Sequence, residues 1–242
     1  MSFVGWLSVV LYFVSLAGIS HQVLHVRARA ACRSIPAQQA TDGISAFYVS
    51  TAFLSTAAYI LFNLTLSEIN HYLLWPRIFQ VLLFLLLLRE VAKDRRCGRS
   101  RALSLLALVG FVSILYFIPI VFFAGREPVQ MLHDVLGGTL VGLAALVGIG
   151  IVHQVREVWR RKHIGALSLR KEGAGFVKDV SSLGAAVVVT PDISWQLLFT
   201  HGSSALLVGS LYALMLWYEY LPKIAAFRVI SFATLLSIRT KQ

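Results

Sequence analysis

Two histidine–glutamine pairs are the first candidate functional residues of this sequence, because imidazole can exchange protons or bind a metal. His21-Gln22 and His153-Gln154 lie in a repeated phrase, Gly-Ile-X-His-Gln-Val, which occurs at 18–23 and again at 150–155. Each copy lies at the end of a long apolar run and is followed by a basic loop. The two copies therefore occupy equivalent positions in the sequence pattern. The repetition predicts an internal duplication, which is the first feature to look for in any sequence.

The residues alone leave three interpretations of His21 and His153 open. The two imidazoles can be ordinary side chains at helix ends, hydrogen-bonded to their neighbours. They can handle protons, because imidazole changes its charge near neutral pH. They can also be the axial ligands of a b-type haem, which takes one imidazole from each of two helices. In that case His71 and His133 form a second pair near the opposite face.

Polar residues inside apolar segments are the second chemical signal. An ionisable group in hydrocarbon is costly and therefore faces a cavity or a partner, so Asp179 is a candidate proton or cation site. Lys178 precedes it, and adjacent helical residues point about 100° apart, so we expect no simple ion pair between them. The predicted substrate pathway consists of Tyr48, Tyr59, Gln80, Asp179, Trp195, Gln196 and His201. The alternative role for these side chains is packing between helices.

The composition predicts that these candidate residues lie on transmembrane helices. Hydrophobic residues make up 57% of the 242 residues, charged residues make up 14%, and the mean hydropathy is +0.75. A soluble fold of this length could not bury so much apolar surface. The net charge of +11 comes mainly from loops between apolar runs, so membrane topology explains it and nucleic acid is not an expected partner. The sequence contains no Walker loop and no metalloprotease His-Glu pair, and we expect no enzymatic activity.

Apolar runs of roughly 20 residues are long enough to cross a bilayer, and they predict seven transmembrane helices. These lie at about 3–26, 44–64, 71–92, 102–124, 131–157, 173–191 and 193–218. Basic residues, Lys171 among them, concentrate in alternate loops. The positive-inside rule therefore predicts an outside amino terminus and a cytoplasmic carboxyl terminus in a bacterial inner membrane. The segment 173–191 contains two charges, so a re-entrant segment is the alternative there.

The predicted helices divide into two three-helix units joined by a connector. The first repeat covers 1–92, the connector helix 93–130 and the second repeat 131–220. Residues 221–242 form a tail, whose stretch 224–238 is predicted as an amphipathic helix on the inner leaflet. Because the connector inverts the second unit, the two units can lie parallel. This 3+1+3 arrangement is typical of parallel-repeat transporters, which bind substrate between their halves.

A similar stretch follows each glutamine of the repeated phrase. The two stretches run from Gln22 through Arg33 to Asp42-Gly43-Ile44-Ser45 and from Gln154 through Lys162 to Gly165-Ala166-Leu167-Ser168. They resemble the PQ-loop and SWEET superfamily of seven-helix transporters, in which a Pro-Gln or similar pair is followed by a basic stretch and a Gly/Ser step into the next helix. Here His21 and His153 replace the family's proline, whose kink is thought to provide a hinge. The resemblance implies a transporter with inner hinges at Gln22 and Gln154.

Together these features predict a membrane transporter that moves a small polar or zwitterionic solute by alternating access, with proton coupling as an option. His21 and His153 act in this scheme as inner-gate switches, and no cofactor or metal is required. One alternative is a membrane electron carrier that binds b-type haem through these two histidines. Another is a non-transporting receptor or assembly subunit of a membrane complex. The sequence leaves open whether the chain forms a homo-oligomer.

Overall fold

Seven α-helices make up the described part of the chain. The computed structural model describes residues 3–32, 39–65, 71–95, 98–124, 133–189 and 195–239. The helices are α1 (Phe3–Ala31), α2 (Ala46–Leu64), α3 (His71–Arg95), α4 (Gly98–Ala124), α5 (His133–Arg161), α6 (Leu169–Val189) and α7 (Trp195–Arg239). No strand occurs in these ranges. The prediction of an all-α protein is confirmed.

Serine side chains cap the first turns of α2 and α6. The backbone N–H of Tyr48 donates a hydrogen bond to Ser45 Oγ at 3.2 Å, and that of Lys171 donates to Ser168 Oγ at 3.3 Å. Such caps satisfy N–H groups that have no partner within the helix. Helix α6 therefore begins at Leu169, earlier than the predicted start at 173. The placement of Lys171 in a basic loop is wrong, because the helix begins at the cap and not at the apolar run.

Besides α7, which continues from its predicted end at 218 to Arg239, three helices continue past their predicted ends into the basic segments that follow them. Helices α1, α3 and α5 end at residues 31, 95 and 161, whereas the apolar runs predicted ends at 26, 92 and 157. Their last turns contain arginine or lysine. These residues are good helix formers, and cations interact favourably with the carboxyl end of the helix dipole. The helices therefore outlast their apolar runs.

Within the described ranges, four helices contain a segment long and apolar enough to cross a membrane. These segments are Val9–Ala31, Ala46–Leu64, His133–Arg161 and Leu198–Tyr220. They identify an integral membrane protein. The other predicted spans, at 71–92, 102–124 and 173–191, also lie in helices, but their passage through the bilayer stays a prediction. Residues 224–238 belong to the same uninterrupted helix α7, and their place on the inner leaflet also stays a prediction.

The helices pack in a reciprocal pattern. Helix α1 packs against α3 and α6, and α5 packs against α7 and α2. In addition, α2 packs against α3 and α6 packs against α7, while α4 lies against α2 and α3. The main apolar core contains side chains from several of these helices, including Phe53, Val81, Ile151 and Leu211. Residues 1–92 and 131–220 therefore meet through the α1–α6 and α2–α5 contacts.

The glycine that opens each repeated phrase lies at one of these two contacts. A Cβ atom at Gly18 would lie 3.0 Å from the Cα of Lys171 in α6, and a Cβ at Gly150 would lie 3.0 Å from the Cα of Tyr48 in α2. These distances are tighter than nine in ten real Cβ contacts, so the neighbouring backbone would have to move by a few tenths of an ångström. Glycine thus allows α1 to approach α6, and α5 to approach α2, at corresponding places. Small residues have this role at many helix contacts in membranes.

Candidate functional site

Gln22 and Gln154 each bind the loop that begins in the other half of the chain. Gln22 Nε2 donates to the Ala166 carbonyl at 2.6 Å, and its Oε1 accepts from the Ser168 N–H at 2.7 Å. Gln154 Nε2 donates to the Gly43 carbonyl, and its Oε1 accepts from the Ser45 N–H at 2.7 Å. We call these two sets of contacts the glutamine bridges. Both glutamines are almost fully buried. Three of the four hydrogen bonds are buried and the bond to the Gly43 carbonyl is partly buried, so the bridges satisfy backbone groups that have little access to water.

The two bridged loops also contact each other directly. The Ala166 N–H donates to the Asp42 carbonyl at 2.7 Å. The Arg161 guanidinium forms an ion pair with the Asp42 carboxylate. The sequence predicted hinges at both glutamines, and the structure places both at the junction of the two loops. Whether this junction acts as a hinge stays a prediction.

The two histidines of the repeated phrases have different surroundings. His21 Nδ1 lies 3.1 Å from Ser168 Oγ, whereas the side chain of His153 is exposed. In the second predicted pair, His71 is exposed and His133 Nδ1 lies 2.9 Å from Thr65 Oγ1. The contacts of the described residues join neither pair. These placements favour ordinary hydrogen bonding for His21 and His133 over shared ligation of a haem.

A polar cavity of about 90 Å³ lies between the two halves of the described chain. Helices α1, α2, α3, α5, α6 and α7 line it, and none of the described residues of α4 do. Four predicted pathway residues reach its wall, namely Tyr48, Gln80, Asp179 and His201. The remaining polar and charged lining residues are Ser15, Ser55, Thr56, Arg77, Lys171, Glu172, Lys178, Thr200, Ser203 and Ser204. A cavity of this size could hold several water molecules or a small solute.

In this cavity, the Asp179 carboxylate contacts a lysine, a histidine and a serine side chain. Its Oδ1 lies 2.8 Å from Lys178 Nζ and 3.6 Å from His201 Nδ1. Its Oδ2 accepts a hydrogen bond from Ser204 Oγ at 2.5 Å. The expectation that Lys178 and Asp179 would not pair is wrong, because the long lysine side chain bends back to its neighbour. The carboxylate is therefore already paired with a cation in this structure, and its role as a proton or cation site stays a prediction.

Arg77 is a cavity residue that the sequence analysis missed. Its side chain is buried, and its guanidinium carbon lies 3.1 Å from the ring centroid of Tyr59 and 5.4 Å from that of Tyr12. One terminal nitrogen lies 3.3 Å from His201 Nε2. Its buried Nε has no hydrogen-bond partner among the described residues. An arginine within the predicted span 71–92 was the available signal, because intramembrane charges are functional candidates.

Lys171 and Glu172 form a second charged group that was missed. Lys171 Nζ lies 2.6 Å from Glu172 Oε1 and donates to the Tyr48 hydroxyl at 3.1 Å. Glu172 is almost fully buried, and Lys171 is nearly so. The early start of α6 places both residues in the cavity wall. This contact also joins Tyr48 of α2 to the first turn of α6.

The other predicted pathway residues lie beside the cavity or away from it. Tyr59 stacks on Arg77, and its ring centroid lies 5.8 Å from that of His201. Gln80, which does line the cavity, also accepts a hydrogen bond from the Tyr12 hydroxyl. Trp195 is exposed, and Gln196 lies at the start of α7; neither lines the cavity.

Fold and site together define a class: an all-α integral membrane protein with a charged cavity between two sets of helices. Comparison with known proteins adds no narrower family. No protein-family model matches the chain, and no curated protein matches it. Any narrower function must therefore be inferred from the contacts of this chain itself.

Proposed function

We propose that this protein is a transporter of a small polar solute, built from seven transmembrane helices in a 3+1+3 arrangement of parallel repeats. The observation that carries the proposal is the half-open cavity, to whose wall both three-helix units contribute polar and charged side chains. Charged side chains at this depth are costly unless they pair or serve a ligand. A purely structural bundle would gain more from apolar packing at the same place.

The reciprocal contacts support the repeat arrangement. Gln22 binds the loop before α6, and Gln154 binds the loop before α2. In the same way, Gly18 lies against α6 and Gly150 against α2. An ancestral duplication explains why residues in one repeated phrase make the same contacts in both places. The connector α4 then inverts the second unit so that the two units lie parallel.

In the proposed mechanism the glutamine bridges are the fixed points about which the units move. Their four hydrogen bonds satisfy buried backbone groups, and leaving such a group unpaired costs about 1–3 kcal/mol. It is therefore less costly for the helices to tilt about this junction than to break it. His21 lies beside the junction, at Ser168, and is the better placed of the two proposed gate histidines.

Proton coupling remains part of the proposal, with His201 as its candidate group. Its two ring nitrogens face Asp179 and Arg77, so a change in its protonation changes its contacts with both units. We further propose an outside amino terminus and a cytoplasmic carboxyl terminus in a bacterial inner membrane, because basic residues concentrate in alternate loops.

Counterflow in proteoliposomes tests the proposal. Purified protein is reconstituted and loaded with unlabelled solutes from a panel of amino acids, short carboxylates, amides and sugars, and uptake of the labelled counterpart is followed. We expect counterflow with at least one solute class, and a loss of it in Asp179→Asn. The matched control is Asp134→Asn, because Asp134 is exposed at the start of α5.

Two other results would point to the alternative functions. Visible absorbance from the purified protein that disappears in His21→Ala would indicate a haem-binding electron carrier. Absence of counterflow with every solute, together with stable copurification of a partner protein, would indicate a receptor or assembly subunit. Either result contradicts the transporter proposal.

A further inference from the structure

We infer that the transported solute is a small monocarboxylate and that Arg77 binds its carboxylate group. This inference rests on the proposed transport function and narrows its substrate class. It begins from the charges that face the cavity. Among the described residues these are three cations and two carboxylates, namely Arg77, Lys171, Lys178, Glu172 and Asp179.

Two of the three cations already have a carboxylate. Lys171 lies 2.6 Å from Glu172, and Lys178 lies 2.8 Å from Asp179. Arg77 has no carboxylate within ion-pair distance among the residues that the structure describes. The wall of the cavity therefore has an excess of one positive charge, and that charge is located on Arg77. A buried charge without a counter-ion is strongly unfavourable, so the missing partner points to an anionic ligand.

The neighbours of Arg77 stabilise the guanidinium without neutralising it. The faces of Tyr59 and Tyr12 attract a cation through their ring electrons. One terminal nitrogen of Arg77 lies 3.3 Å from Nε2 of His201. The Nε atom, although buried, has no hydrogen-bond partner in the part of the chain that the structure describes. A guanidinium is a planar fork whose N–H groups match the two oxygens of a carboxylate, so Nε is available for one arm of such a pair.

The remaining lining explains why the ligand should be small and singly charged. A dianion would exceed the one unmatched positive charge. The ammonium group of a zwitterion would need a free carboxylate, but Asp179 is occupied by Lys178 and Ser204. Apolar side chains such as Phe84 and Ile151 complete the wall, and they suit a short aliphatic chain. The volume of about 90 Å³ suits a small solute.

The test compares solutes of nearly equal size and shape that differ in charge. Propionate, propionamide and alanine represent the anion, the neutral amide and the zwitterion. Each is measured in two ways on the full chain, by counterflow in proteoliposomes and by the shift in thermal unfolding in detergent. We expect propionate to be favoured over propionamide by roughly tenfold or more, because a charge-assisted hydrogen bond is lost in the amide.

The variants Arg77→Gln and Arg77→Lys locate the effect. Arg77→Gln should reduce propionate transport roughly ten- to hundredfold and remove the preference over propionamide. Arg77→Lys should retain part of the preference for propionate, because lysine keeps the positive charge but lacks the planar guanidinium. Arg89→Gln is the matched control, since Arg89 is an exposed arginine of the same helix, and it should transport propionate like the wild type. The wild-type comparison of the three solutes does not depend on any variant folding.

The two readouts separate failure of this inference from failure of the transport proposal. Equal counterflow of propionamide or alanine would overturn carboxylate recognition and leave transport standing. Thermal stabilisation by propionate without any counterflow would leave recognition standing and overturn transport. Neither counterflow nor stabilisation with any of the three solutes would overturn both.

Discussion

Replacing Gln154 with leucine tests the glutamine bridges directly. The change keeps an apolar side chain of similar size but leaves the Gly43 carbonyl and the Ser45 N–H without the amide that binds them. The buried Ser45 N–H costs about 1–3 kcal/mol when it is left unpaired, and the partly buried Gly43 carbonyl adds less because water can reach it. The free energy of unfolding should therefore fall by at least about 1–3 kcal/mol. This is a large fraction of the stability of a folded domain, which is typically about 5–15 kcal/mol.

The measurement is reversible unfolding in bicelles, followed by tryptophan fluorescence. Gln22→Leu should have a similar effect, because Gln22 makes the same two contacts with Ala166 and Ser168. His153→Ala is the control, since His153 is the exposed neighbour of Gln154, and it should change stability by less than about 0.5 kcal/mol. A loss below about 0.5 kcal/mol in both leucine variants would refute the bridging role.

The double variant carries the reasoning one step further. The loop that Gln22 binds and the loop that Gln154 binds are joined by the hydrogen bond from Ala166 to Asp42. Residues that share a network are not additive, and their coupling is typically about 0.5–3 kcal/mol. We expect the loss in the double variant to differ from the sum of the single losses by an amount in that range. Strict additivity would mean that the two bridges are independent and do not form one junction.

Three further outcomes are expected. Gly150→Val should lower stability by about 1–3 kcal/mol through overpacking against α2, whereas Gly138→Val, at an open position, should lower it by less; equal losses would rule out a close helix contact. Lys171→Met should lower stability by about 3–5 kcal/mol because it leaves the Glu172 carboxylate buried and unpaired, and Glu172→Gln in the same chain should restore part of the loss; no restoration would argue against the pair. Cys97 is first replaced by serine, so that Cys32 is the one remaining thiol. The exposed Cys32 should then react in intact cells with a membrane-permeant thiol reagent but not with an impermeant one. Rapid labelling by the impermeant reagent would reverse the proposed orientation.

The sequence predicts the helices well because apolar runs report directly on burial in a bilayer. It also predicts the importance of Gln22 and Gln154, because the repeated phrase marks them independently of any contact. It could not show that each glutamine binds the opposite loop, since that requires knowing how the two halves face each other. The helix ends were less predictable, because a helix can continue after its apolar run ends. Helices α3 and α5 continue in this way into basic residues, which are good helix formers.

The site was harder to predict than the fold, because a charge and its partner are joined only in three dimensions. Asp179 and His201 stood out as polar residues in apolar runs, and both line the cavity. Arg77 gave the same signal but was not singled out, and Lys171 was assigned to a loop that the structure shows as helix. Trp195 was predicted to line the pathway together with its neighbours in the last helix, but it is exposed. Residue type and depth alone therefore do not distinguish a cavity wall from a helix surface.

The distribution of the charges between the two units bears on how such a protein could move. Both ion pairs, Lys171 with Glu172 and Lys178 with Asp179, lie within α6 alone, so α6 can move against the other helices without separating a charge from its partner. Arg77 differs, because its aromatic neighbours are in the first unit while His201 is in the second. Its environment therefore changes when the units separate, and so does that of Lys171, which donates to the Tyr48 hydroxyl of the first unit. An anion bound there would compensate the guanidinium in every state of the cycle, which would make movement of the occupied cavity less costly than movement of the empty one.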